Sequence, residues 1–282
     1  MVLSIITINR NNALGLEKTM KSILSQSVKL FEYVVVDGAS TDDSVEVIRR
    51  FADKFGERIK WITEPDKGIY NAMNKGIRMA TGEYVEFLNS GDCLVSTDVV
   101  SKMYQSLEEA GNPSILYGNM LKDKSDGTIL KDKCFAGKAI SFLGFYTGTL
   151  NHSPAYIRRD LFNKYGLYDE SLKIVSDWKW YLQAIVLGEE KPVYVDLDVT
   201  LFDMNGISET NKELDKAERR KVLEELIPYT ILSDYDKWAF PIDQMKRLKR
   251  HPWAYKLVWF LERCLFKLEK GQRKRSREVE YQ

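Results

Sequence analysis

Carboxylates and amides follow short apolar runs in this chain, at positions where packing alone gives no reason for a polar side chain. Asp37 closes Tyr33–Val36 and precedes Gly38, Ala39 and Ser40. A strand-end carboxylate beside a glycine can accept hydrogen bonds from a base N–H or a ribose hydroxyl. Asn89-Ser90-Gly91-Asp92 closes Tyr84–Leu88. Its amide and carboxylate oxygens suit Mg²⁺ or Mn²⁺, and the same four residues are also good turn formers. Asp177, in Ile174-Val175-Ser176-Asp177-Trp178, has two readings. It either shares with Ser176 the capping of the helix that follows, or it acts as a general base. His152, one of only two histidines, is either structural or a contact near such a centre. Trp178, Trp180, Phe145 and Tyr146 are either core or a platform for the apolar C–H face of a ring.

These residues need a scaffold that brings them together, and the spacing of apolar residues implies one. Leu3–Ile8, Tyr33–Val36, Ile59–Ile62 and Tyr84–Leu88 read as buried strands. Ala13–Ser25, Asp42–Phe55 and Gly68–Ala80 read as the intervening helices, the second with Val45, Ile48, Ala52 and Phe55 on one face and Asp42 as its cap. Alternation of this kind predicts an α/β fold: a mostly parallel sheet with helices on both faces and right-handed crossovers. Ligands of such sheets lie beyond the carboxyl ends of the strands. Thr7 to Asn11, Asp37 to Ser40, Glu64 to Gly68 and Asn89 to Asp92 all fall there, so one polar crevice is expected. Farther on, Ser96–Glu109 reads as a helix, Ile115–Tyr117 as a strand and Lys122–Lys133 as a polar hairpin or excursion. Arg159–Tyr165 and Asp177–Leu187 read as short helices, Val193–Leu201 as a strand, and Asn205–Lys212 as a polar mobile segment. From Glu213 the chain reads as helical and highly charged.

At 282 residues with 44% hydrophobic content, the chain can bury a large core. Three cysteines without paired spacing imply neither a disulfide framework nor a metal knot, and suggest a reducing compartment. The opening MVLSIITINRNN lacks the pattern of a signal peptide, and no apolar run is long enough to span a bilayer. Net charge is +1, yet residues 246–277 alone carry +10. That stretch therefore calls for an anionic partner.

LSIITINRNN with VVVDGASTDDS, EPDKGIYNAMNKGIRMATGEYVEFLNSGD, and NHSPAYIRRDLFNKYGLYDESLKIVSDWKWYL resemble three blocks of the inverting family 2 glycosyltransferases, in the expected order over residues 2–210. The resemblance implies a GT-A fold and sugar transfer from a nucleotide-diphosphate donor to an acceptor hydroxyl with inversion. It implies nucleotide contacts from Thr7, Asn9, Arg10, Asp37 and Asp66, a divalent cation at Asp92 and Asn89, and Asp177 as base. His152 and Trp178 are expected near the acceptor. Two departures stand out. Arg10 occupies a position where the family often has Tyr, and the usual Asp-x-Asp is reduced to Asp92, with Asn89 and Gly91 at the earlier positions.

The expected organisation is a catalytic domain over 1–212, with its nucleotide half at about 1–95 and its acceptor half at about 96–212, and a basic helical extension over 213–282. In the extension, aromatic and leucine residues between basic clusters suit a helix lying in an anionic membrane interface. The alternative is a helix packed on the catalytic domain. The expected setting is cytoplasmic, peripheral on the inner face of the cell membrane, with a surface-polysaccharide or lipid-linked glycan as acceptor. A nucleotidyltransferase would carry a Gly-rich phosphate loop after the first strand, and Asn9-Arg10-Asn11-Asn12 is not one. A sugar-binding module with a decayed metal site is supported only by Asn89 and Gly91. Nucleic acid as the main partner conflicts with an acidic crevice.

Overall fold

The computed structural model describes residues 3–124, 127–138, 140–204 and 211–279. Two compact units divide the chain, 1–226 and 227–282.

In the first unit, strands β1 (Leu3–Asn9), β2 (Phe31–Asp37), β3 (Ile59–Thr63) and β4 (Tyr84–Phe87) pair in parallel in the order β3-β2-β1-β4. Helices α1 (Ala13–Leu24), α2 (Ser44–Phe55) and α3 (Ile69–Met79) connect them. Both faces of β1 and β2 are buried, which explains their mostly apolar sequences. Alternate side chains separate the two faces. Leu3, Ile5, Phe31, Tyr33 and Val35 join a core cluster with α1, α2 and α4 (Val99–Glu109), while α3 contacts β1 and β2 outside that cluster. The buried face of α2 is Val47, Ile48, Phe51 and Phe55, rotated from the expected Val45–Ile48–Ala52–Phe55 stripe so that Phe51 rather than the smaller Ala52 enters the core. Each fully buried side chain of this size stabilises by about 1.5–3 kcal/mol. Asp42 is not the cap expected of it: Asp43 holds the N-cap position without a side-chain bond, and Asp42, one residue earlier, accepts the Ser44 N–H at 3.0 Å and the Ala13 N–H at 2.9 Å.

The second half of the sheet is mixed. Strands β5 (Cys93–Leu94), β6 (Ile115–Asp123), β7 (Ile129–Asp132), β8 (Ala155–Arg158) and β9 (Val193–Asp203) extend it in the order β4-β8-β6-β9-β5, with β7 beside β6. Pairings β4–β8, β6–β8, β6–β7 and β5–β9 are antiparallel, and β6–β9 is parallel. The α/β architecture is therefore as expected, with the parallel pairs concentrated in the first four strands. The polar segment after Lys122 is the β6–β7 hairpin. Short helices α5 (Phe142–Thr147), α6 (Leu161–Tyr165) and α7 (Ser176–Tyr181) follow, α7 running into a wider helical turn over Leu182–Leu187. The expected polar segment 205–212 falls mostly outside the described residues.

Helix α8 (Lys212–Leu226) belongs to the first unit, which places the division after Leu226, whereas the sequence suggested 212. Its buried Glu218, Val222 and Leu223 explain this, since they commit the helix to the catalytic body. The second unit contains α9 (Tyr229–Lys249) and α10 (Pro252–Val279), which contact one another. Along α10, Trp253, Leu257, Phe260, Leu261, Leu265 and Leu268 recur at helical spacing, and each is more than half exposed. Among the described residues, no helix is long and apolar enough to cross a membrane. All three cysteines carry free thiols.

Candidate functional site

A cleft of about 1220 Å³ opens at the carboxyl ends of the parallel strands. Its walls come from the end of β1, the start of α3, the segment after β4, residues 134–152, residues 173–178, the end of β9 and the first turns of α8. This is the location that the rule for open α/β sheets predicts. Of the expected site residues, Asn9, Arg10, Asp66, Asn89, Asp92, His152, Asp177 and Trp178 line it together.

Asp37 and Thr7 do not reach the wall. Asp37 is fully buried behind it. Four donors converge on its two oxygens: Asn9 Nδ2 at 2.8 Å and Ser40 Oγ at 2.5 Å on Oδ1, and Ser40 N at 2.9 Å and Thr63 Oγ1 at 2.7 Å on Oδ2. Burial alone would raise its pKa, but these bonds outweigh burial and hold the carboxyl below its ordinary value. Asp37 thus shapes the wall by tying three chain segments together. A Cβ at Gly38 would sit 2.1 Å from an Asp66 carboxylate oxygen, so the Asp66 side chain would have to move aside. Thr7 lies two residues before the end of β1, where the sheet still covers it. Its hydroxyl donates to the Leu88 carbonyl at 2.7 Å and accepts from Tyr33 at 3.0 Å.

Across the floor, Asp92 is 3% exposed. Its Oδ1 accepts the Asp203 N–H at 2.9 Å, while its Oδ2 and the Oδ1 of Asn89 are buried with no partner among the described residues. Burial pushes Asp92 up to about 7. Gly91 adopts φ +109°, a region that disfavours side chains, and a Cβ there would stand 2.8 Å from Asp203 Oδ2. The Asp203 carboxylate, from the end of β9, therefore occupies the space that a side chain at position 91 would enter. Two orphaned buried oxygens next to a further carboxylate form an all-oxygen donor set, which suits a hard divalent cation. Among the described residues, no cluster of three or more His, Cys, Asp or Glu converges on one point. A cation held here would complete its shell with water or phosphate oxygens.

On the opposite wall, Asp177 sits in the first turn of α7, with Val175 at the N-cap position and no side-chain cap, so it is not the capping residue. His152 Nδ1 lies 3.0 Å from Asp177 Oδ2, and the Tyr70 hydroxyl donates to Asp177 Oδ1 at 2.9 Å. Burial would raise the Asp177 pKa, but the His152 and Tyr70 contacts reverse this and leave it below the usual carboxylate value. For His152, burial would lower the pKa, and the neighbouring Asp177 carboxylate carries it above 6.5. His152 Nε2 in turn stands 3.4 Å from Asn89 Nδ2. A polar chain thus runs from the cleft floor through His152 to Asp177 and Tyr70.

Trp178 is almost fully buried. Its indole N–H points at the Phe145 and Gly148 carbonyls, both at 3.1 Å, and the Arg219 guanidinium covers its ring at 4.6 Å. Phe145 and Trp180 are core residues, packed on Phe135 and Phe162 respectively. Trp178, with Arg219 over its ring, presents no open face, and the half-buried Tyr146 does not line the cleft, so these four residues do not form the expected aromatic platform. Tyr70, Asp203 and Arg219 were not anticipated. Asp203 was legible by the strand-end rule that singled out Asp37 and Asp92, whereas Arg219 carries no local signal.

Structures similar to this one include S. aureus TarS 1–349 in complex with UDP-GlcNAc, with a TM-score of 0.61 and 20% identity over 73% of this chain and 59% of that one. Another is the mannosyltransferase PcManGT of Pyrobaculum calidifontis in complex with GDP-Man and Mn²⁺, with a TM-score of 0.63 and 18% identity over 95% of this chain and 82% of that one. These likenesses establish the GT-A fold. In sequence, an uncharacterised glycosyltransferase of Mycobacterium tuberculosis strain H37Rv is 32% identical over 207 residues, 72% of this chain and 76% of its own. A PGL/p-HBAD biosynthesis glycosyltransferase of the same strain is 28% identical over 212 residues, 73% and 79% of the two chains. Residues 4–168 match the sequence profile of Glycosyl transferase family 2, and with these relatives and this fold the chain belongs to that family.

Proposed function

We propose that this glycosyltransferase moves a sugar from a nucleoside-diphosphate sugar to an acceptor hydroxyl with inversion, assisted by a divalent cation. The observation that carries the reading is the shared cleft, in which Asp177 on one wall faces Asn89 and Asp92 on the floor, with His152 between them. Asn9, Arg10 and Asp66 flank the nucleoside, braced by Asp37. Asn89, Asp92 and Asp203 would hold Mg²⁺ or Mn²⁺, which would neutralise the diphosphate charge. Asp177 accepts the acceptor's proton as that oxygen attacks the anomeric carbon. The bond from that carbon to the phosphate oxygen breaks, and the nucleoside diphosphate leaves with the electron pair. A single displacement needs no covalent sugar–enzyme intermediate. His152 and Trp178 border the acceptor's approach. The donors bound in the similar structures, UDP-GlcNAc and GDP-Man with Mn²⁺, support this class of substrate.

The proposed setting is synthesis of a surface polysaccharide or lipid-linked glycan at the inner face of the cell membrane. The exposed apolar stripe of α10 and the +10 charge over 246–277 support contact with an anionic lipid surface. A panel of UDP-, GDP- and dTDP-sugars with Mn²⁺, read by thermal shift and by release of nucleoside diphosphate, tests the activity. At least one donor should raise the melting temperature and be cleaved in a metal-dependent way. A panel in which none binds and none is cleaved refutes the proposal.

A further inference from the structure

Glu218 is a buried carboxylate, 7% exposed, that does not line the cleft. It projects from α8 into the backbone just ahead of α7. Its Oε1 accepts the Lys173 N–H at 2.8 Å, and its Oε2 accepts the N–H groups of Ile174 at 2.9 Å and Val175 at 3.3 Å. Three successive peptide donors thus close on one side chain about 45 residues away in sequence.

We propose that Glu218 is a positioning residue that fixes the 173–175 backbone and, through it, the Asp177 carboxylate. This rests on the reading of Asp177 as the base. The segment has no cap of its own, because Val175 at the N-cap position of α7 offers no side-chain acceptor. Without Glu218, three N–H groups would turn inward unsatisfied. The same peptides are held from the other side. The Ile174 carbonyl accepts from the Tyr70 hydroxyl, and that hydroxyl also reaches Asp177 Oδ1 at 2.9 Å. Glu218 therefore grips the N–H side of this segment and Tyr70 its C=O side, and Asp177 follows two residues after Val175. A carboxylate is required because both of its oxygens only accept. A glutamine would turn an NH₂ group toward at least one peptide N–H.

Helix α8 has a second tie to α7 that serves as a control. Lys179 Nζ bonds Glu225 at 2.9 Å and Asp169 at 2.9 Å. Glu225 docks the helix without touching the 173–175 backbone.

The test uses the full chain as wild type, Glu218→Gln, Glu218→Asp and Glu225→Gln. Amide hydrogen exchange over residues 172–178 reads the clamp directly and needs no substrate. Exchange there should be at least about tenfold faster in Glu218→Gln, as expected when local opening becomes easier. Turnover is read as nucleoside-diphosphate release from the UDP-, GDP- and dTDP-sugar panel with Mn²⁺. Glu218→Gln should lower kcat about 100-fold, the scale of a one-ångström misplacement of a reacting group, with donor KM unchanged. Glu218→Asp should recover part of that loss. Glu225→Gln should leave kcat within about twofold, since Glu225 bonds Lys179 and not the 173–175 backbone. In an Asp177→Asn background, Glu218→Gln should produce no further loss. Unchanged exchange over 172–178, wild-type kcat in Glu218→Gln, or a loss that multiplies in the double variant overturns the inference. Wild-type turnover in Asp177→Asn alone removes the base reading, and this inference with it.

Discussion

His152 Nδ1 and Asp177 Oδ2, 3.0 Å apart, join the two ends of the cleft. This contact is the main one behind both shifts, lowering the Asp177 carboxyl with help from Tyr70 while raising the imidazole. Asp177 is therefore a weak base by solution standards, and its usefulness comes from position and desolvation. The imidazole is oriented by the same bond. With Nδ1–H committed to Asp177, Nε2 faces the Asn89 amide at 3.4 Å.

Asp177→Asn is expected to abolish sugar transfer while leaving affinity for Mn²⁺ with UDP or GDP nearly intact. Calorimetric titration of the variant, beside turnover with the cleaved donor, checks both halves. Normal turnover by the Asn variant removes Asp177 from the chemistry.

Protonation of His152 should make Asp177 less basic. The Asp177 carboxylate raises the His152 pKa above its ordinary value, so kcat should decline as pH falls through that raised pKa. In His152→Gln that limb should move to lower pH. A pH–rate profile of both proteins decides this, and identical profiles contradict it.

Asp203 crowds Gly91 and bonds Asp92 through its backbone. Asp203→Ala should weaken Mn²⁺ binding about tenfold or more, the scale at which ligand-shell changes act. Manganese paramagnetic resonance titration measures it without any donor. Gly91→Ala should also weaken Mn²⁺ binding, because φ +109° and the 2.8 Å approach to Asp203 leave no place for a methyl group. The backbone strain alone costs of order 1–3 kcal/mol. Unaltered affinity in both variants excludes Asp203 from the cation site.

Glu86 on β4 is buried, with neither carboxylate oxygen partnered among the described residues, and burial raises its pKa well above 4.5. The folded protein then keeps a proton that the unfolded chain releases. Its contribution to stability is complete below the unfolded value and is lost as pH rises toward the folded one, at about 1.4 kcal/mol per pH unit within that window. Glu86→Gln should gain stability relative to wild type between pH 5 and pH 7. Urea denaturation at both pH values measures it, and a constant difference contradicts a neutral Glu86.

Full-length protein should co-sediment with vesicles containing anionic phosphatidylglycerol and be released by salt, as expected when basic residues meet an anionic surface. Deletion of 246–282 should abolish this. Equal sedimentation of the truncated chain removes the membrane role of α10.

Local pattern determined the first half of the molecule. Apolar runs bounded by Asp37, Asn89 and Asp92 marked strands buried on both faces, with their polar clusters at the carboxyl ends. The crevice was legible for that reason. So was Asp177, because its type and its flanking Ser176 and Trp178 sit in a recognisable block. Tertiary structure decided which of these residues face the cleft. Asp37 and Thr7 turned inward, because four donors and a carbonyl claimed their oxygens. It also supplied partners from afar: Tyr70 to Asp177, Asp203 to Gly91, and Glu218 to the 173–175 peptides. Each of these contacts joins segments more than 40 residues apart, a distance at which spacing along the chain carries no signal and only packing brings the groups together.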